Sequence, residues 1–168
     1  MRFVFVDRIV AAEPLRRIDT LKNVSATEDV FADHFPGYPV FPGALVVEAF
    51  AQACELLIAM SHDFVEIGRL ERLSRVAFAR PVRPGDQLRI RCERRAGEGV
   101  WALDATATVD GVRVAAATLE FRLERAAPGT GARRQADRLR ALQRELQPAP
   151  LATAPRGGDA AAPGGGHE

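Results

Sequence analysis

Residues 33–50 read DHFPGYPVFPGALVVEAF, and this stretch decides the reading of the chain. His34 leads into two Pro-Gly pairs, Pro36-Gly37 and Pro42-Gly43. Proline fixes φ and glycine permits backbone conformations that other residues resist, so the loop is expected to be stiff. From Pro42-Gly43 to about Met60 nearly every residue is apolar. Such a run predicts one long helix buried on most sides.

Strand signals surround it. Gln87 to Glu93 alternates, with Leu88, Ile90 and Cys92 on one face and Gln87, Arg89, Arg91 and Glu93 on the other. Trp101, Leu103, Ala105, Ala107 and Val109 share a face, and Asp110-Gly111 then makes a two-residue hairpin turn into Val112 to Leu123. Phe3 to Val10, Ile18 to Val24 and the poorly alternating Arg69 to Arg80 are the other expected strands. One very apolar helix among many strands is best housed by an antiparallel sheet wrapped around it, an α+β fold.

The rest of the composition bounds the function. The chain has 168 residues, 47% of them apolar, which suits one domain, and a net charge of +1 gives no reason to bind nucleic acid. The run Ala44 to Met60 carries Glu48, Gln52 and Glu55, so no membrane span is expected. No signal peptide is visible, and a cytoplasmic protein is expected. Cys54 and Cys92 stand in apolar contexts without metal-like spacing and are expected as buried free thiols. The composition changes near Ala126. Residues 1–125 are expected as the domain, 126–147 as a linker with a short helix, and 148–168 as a disordered Ala/Pro/Gly-rich tail. Leu139, Leu142 and Leu146 share a helical face. That helix is expected to be marginal and solvated, with docking on the body or on a partner as the alternative.

Three polar residues interrupt the apolar helix within roughly 60° of one another: Glu48, Gln52 and Glu55. Glu55 is expected on a solvent-facing stripe. Glu48, about one turn in and among Leu45, Val46, Val47 and Phe50, is expected to be desolvated, which suits a group that holds a proton near neutral pH. Gln52, one turn on, is placed to hydrogen-bond and orient it. His34 on the stiff loop is a candidate base. Gly43 brings a free N–H of the helix start, a donor suited to polarising a carbonyl oxygen. A base, an acid and an oxyanion donor together suit elimination beside a carbonyl.

The segment HFPGYPVFPG followed by EAFAQA resembles the signature of the FabZ-type (3R)-3-hydroxyacyl-acyl-carrier-protein dehydratases. Phe5-Val6-Asp7-Arg8-Ile9, the run from Arg80-Pro81 to Asp86-Gln87, and Val109-Asp110-Gly111 resemble family segments in the same order, over about residues 2 to 123. The resemblance implies a hotdog fold, an antiparallel sheet around one central helix. It implies His34 as catalytic histidine, Glu48 as catalytic acid, Gly43 as the thioester-oxygen donor and Gln52 as support. A glutamate at 48 resembles FabZ rather than the isomerising FabA branch. The implied activity is dehydration of carrier-linked hydroxyacyl thioesters to trans-2-enoyl thioesters, in fatty-acid or related polyketide or polyene biosynthesis. No metal or organic cofactor is implied. The implied assembly is a homodimer with shared active sites, alone or as a trimer of dimers. Phe35, Phe41, Val46 and Phe50 are candidate walls of an acyl tunnel, or plain core. Arg72, Arg75, Arg80 and Arg83 are candidates for docking the acidic acyl carrier protein. A hotdog thioesterase, a coenzyme-A thioester hydratase and a non-catalytic hotdog binding subunit are the alternatives.

Overall fold

In a computed structural model, residues 3–34, 37–97 and 100–147 are described. The Ala/Pro/Gly-rich tail lies outside them. Six strands, β1 (Arg8–Glu13), β2 (Arg17–Asn23), β3 (Glu66–Phe78), β4 (Gln87–Arg94), β5 (Trp101–Val109) and β6 (Val112–Arg125), form one antiparallel sheet in the order β1-β2-β4-β5-β6-β3. Among the described residues three helices complete the fold: α1 (Val30–Asp33), α2 (Gly43–Ser61) and α3 (Gly131–Leu146).

Alternation sets which side of the sheet faces the core. Leu88, Ile90 and Cys92 of β4 are buried, as are Trp101, Leu103, Ala105, Ala107 and Val109 of β5, as their period of two predicts. Asp110 (φ 50°) and Gly111 (φ 78°) both take positive φ, the conformation of a tight hairpin turn between β5 and β6. The sheet wraps α2, whose Val46, Ala49, Phe50, Ala53, Leu56 and Leu57 are buried. By length and composition α2 could cross a bilayer, but in this fold it is the core helix.

Three local readings differ from the expectation. The first strand starts only at Arg8, because Phe3 to Asp7 runs as an extended segment beside α2, where the Phe5 N–H donates to Gln52 Oε1 at 2.8 Å. β3 alternates poorly because its pairing with β6 shifts twice, at Leu70/Arg72 and at Ser74/Ala77, with Arg75 between at φ 52°. The region expected as a linker carries the 16-residue α3, and one face of it is buried rather than solvated. Thr130 caps it by accepting from Arg133 N–H at 3.1 Å. Ala132, Ala136, Leu139, Leu142 and Leu146 are buried, and each leucine contributes about 1.5–3 kcal/mol by burial. That tertiary gain outweighs the marginal stability of an isolated helix of this length. On the far side, the Arg140 guanidinium donates to Asp63 O at 2.9 Å and lies over the Phe64 ring.

Candidate active site

His34 follows α1, the single turn Val30–Asp33, and its N–H donates to Val30 O at 3.0 Å. It is half-buried. Phe35, the first tunnel-wall candidate, lies outside the described residues together with Pro36. The chain then returns through Gly37, at φ 81°, where glycine is favoured. Phe41 anchors the end of the loop: its N–H donates to Val82 O at 2.8 Å and its ring is buried. Pro42 is the N-cap residue of α2 and Gly43 its first residue.

Glycine at 43 has a packing reason as well as an electronic one. A Cβ there would lie 2.6 Å from the tip of the Phe78 ring. Gly43, Phe41, Val46, Phe78, Arg80 and Val82 line a cavity of about 580 Å³. The free N–H groups of the first helical turn attract negative charge. Phe41 and Val46 are both buried and line this cavity. Phe50 is fully buried and lines neither this cavity nor those at Glu48. It is core.

Glu48 lies about one turn further along α2. Gln52 Nε2 donates to Glu48 Oε1 at 2.8 Å and to Phe3 O at 3.2 Å. With its Oε1 accepting from Phe5, Gln52 has both ends of its amide fixed and holds the carboxylate in one orientation. Glu48 lines a mostly apolar cavity of about 640 Å³ with Phe3, Phe5, Val30 and Leu45. His34 is not among the residues lining that cavity.

The expected burial of the two glutamates is reversed. Glu48 is exposed. Glu55, expected on a solvent stripe, is covered by α3 and accepts from Gln135 Nε2 at 3.2 Å. Burial pushes the Glu55 carboxyl up to about 7, and the charge of Glu48 adds to the rise, while Gln135 and Arg69 oppose it. Only the pairing of Leu139, Leu142 and Leu146 in the sequence pointed to a cover over this face.

A folded-state value above the ordinary 4.5 means that the folded chain holds the Glu55 proton more tightly than the unfolded chain does. The contribution is full below pH 4.5 and is lost as pH rises through about 7. Its size is on the order of 3 kcal/mol. Glu55→Gln is expected to remove this decline, so that urea unfolding of the variant is flatter than that of the parent between these limits. An equal pH slope in both proteins would refute it.

Elsewhere, burial pushes the Cys54 thiol well up, with Cys92 beside it, and both thiols are free and buried. Among the described residues no group of three or more His, Cys, Asp or Glu is placed to hold a metal. Arg72 and Arg75 lie on β3, and Arg80 and Arg83 on the loop that follows. Arg72 approaches Glu120 at 3.6 Å, and Arg83 donates to the Tyr38 hydroxyl and lies over its ring.

Residues 1–118 match the model of the FabA-like domain. The chain belongs to the FabA-like family. Within that family it is similar to FabZ enzymes. It is 41% identical over 122 residues to the 3-hydroxyacyl-[acyl-carrier-protein] dehydratase FabZ of Geotalea uraniireducens, covering 70% of this chain and 84% of that one. It is 41% identical over 130 residues to the FabZ of Granulibacter bethesdensis, covering 75% and 76%. The FabA-like chain shares its hotdog fold with solved structures of low identity. One is smu.793 of Streptococcus mutans bound to acetyl CoA, at 18% identity and TM-score 0.60, covering 74% of this chain and 94% of that one. Another is a hot-dog-like protein of Thermanaerovibrio acidaminovorans, at 16% identity and TM-score 0.57, covering 73% and 89%. The α3 helix of this FabA-like chain lies beyond the residues that the family model matches.

Proposed function

We infer that the protein removes water from (3R)-3-hydroxyacyl thioesters of acyl carrier protein and releases trans-2-enoyl thioesters, as a hydro-lyase of fatty-acid or related polyketide or polyene biosynthesis. The observation that carries this reading is Glu48, clamped by Gln52 at an apolar cavity, in a chain 41% identical to FabZ dehydratases. His34 takes the C2 proton as that C–H bond breaks. The electron pair passes toward the thioester carbonyl, whose oxygen is steadied by the Gly43 N–H. As the pair returns to form the C2–C3 double bond, the C3–O bond breaks. Glu48 delivers its proton to the departing hydroxyl, which leaves as water.

The working His34 and Glu48 come from two copies of the chain. Three features support a homodimer. His34 is not among the residues that line the larger cavity at Glu48, the first turns of α2 expose Ala44 and Glu48, and β3 is an edge strand. That edge exposes Leu70, Leu73, Val76 and Phe78, the kind of strand a natural protein must cover. The compartment that fits these substrates is the cytoplasm.

Incubation with a carrier-linked 3-hydroxyacyl chain is expected to yield an enoyl thioester. Release of a free acid instead would make the protein a thioesterase, and no turnover at all would leave it a binding subunit. Arg72, Arg75, Arg80 and Arg83 are proposed to steer the acidic carrier. Raising salt to about 0.5 M is then expected to lower kcat/KM for the carrier-linked substrate roughly tenfold, the low end of electrostatic steering. An unchanged rate would exclude the patch.

A further inference from the structure

We propose that Glu55 is a positioning residue for the dehydration, acting on Glu48 through the chamber that α3 closes over one face of α2. The proposal rests on the dehydratase reading. Its basis is placement. Glu48 and Glu55 are seven residues apart on one helix face and line the same cavity of about 340 Å³. Gln52 stands between them, hydrogen-bonded to Glu48. The opposite wall belongs to α3: Gln135, which bonds Glu55, and Leu139 and Leu142, which keep the chamber covered.

Seven residues of helix span about 10 Å. At that separation, near a protein surface, one charge changes the ease of forming another by on the order of tenfold. In the proposed step Glu48 gives up its proton and becomes a carboxylate. A neutral Glu55 leaves that change unopposed, and an ionised Glu55 resists it. Burial is the larger cause that keeps Glu55 neutral up to about pH 7, and the Glu48 charge adds to it once Glu48 has ionised. The other groups facing Glu55 are few. They are Arg69 from β3, Gln135 and Arg138 from α3, and the buried Cys54 thiol on α2 itself. Arg69 favours the ionised form but is shared with Glu124, 2.6 Å away. Arg138 is exposed.

The test compares kcat of the full chain, Glu55→Gln and Glu55→Asp on one carrier-linked 3-hydroxyacyl substrate from pH 5.5 to 8.5. Glutamine keeps the shape and the hydrogen bond but never ionises. The ratio of Glu55→Gln to parent kcat is expected to rise about tenfold across this range, with its midpoint near 7. KM should follow the parent at every pH, because Glu55 does not meet the acyl chain. Glu55→Asp, which can still ionise, should return the ratio to a flat line. A Glu55→Gln ratio that is flat with pH, whatever the melting temperature does, would overturn the proposal. If the parent forms no enoyl thioester at any pH, the dehydratase reading falls first and takes this proposal with it.

Discussion

Replacing Glu48 by glutamine is expected to lower kcat for dehydration by about 10²–10⁴-fold, the usual worth of a positioned acid or base. Glutamine preserves the size of the side chain and can still meet Gln52, so the fold is retained and only the transferable proton is lost. His34→Ala is expected to lose a similar factor, because the group proposed to take the C2 proton is removed. The two variants together test the shared site. If His34 of one chain works with Glu48 of its partner, each mixed dimer of the two variants contains one intact site and one site lacking both groups. Random mixing then restores about one quarter of the parental rate. No recovery on mixing, with dimers confirmed, would place both groups in one chain. Unimpaired dehydration by both folded variants would remove His34 and Glu48 from the mechanism altogether.

Phe50→Ala is expected to cost about 3–5 kcal/mol of stability. The ring is fully buried between α2 and the sheet, and Cys92 Sγ lies 3.9 Å from the Phe50 carbonyl oxygen. Removing it leaves a void that close-packed neighbours fill only in part. Against a typical total of about 5–15 kcal/mol, that is about a fifth or more of the margin. Urea unfolding at fixed chain concentration measures it, since any dimerisation makes stability concentration-dependent. A loss under about 1 kcal/mol, accompanied by a changed preference for acyl length, would instead mark Phe50 as a tunnel wall.

Much of this molecule is legible along the chain. The alternation in β4 and β5, the Asp110-Gly111 turn and the apolar run of α2 are local signals, and each element occurs where its period places it. Gln52 beside Glu48 is equally local, because residues four apart share a helix face. The bulges of β3 were not legible. They depend on how β3 registers with β6, some fifty residues away. The extended path of Phe3 to Asp7 was hidden for the same reason, since it is held by Gln52 rather than by its own pattern.

By itself the sequence determined most of the strands, the central helix, and a histidine, a glycine and a glutamate whose order resembles the FabZ signature. Periodicity and motif are properties of neighbouring residues, so the chain carries them before it folds. Burial is not such a property. The tertiary structure alone decided that α3 docks on α2, that Glu55 lies beneath it while Glu48 stays open, and that Phe50 belongs to the core. Each depends on which distant element arrives to cover a given face. No spacing within α2 could say that the glutamate nearer its end would be the one shielded from water.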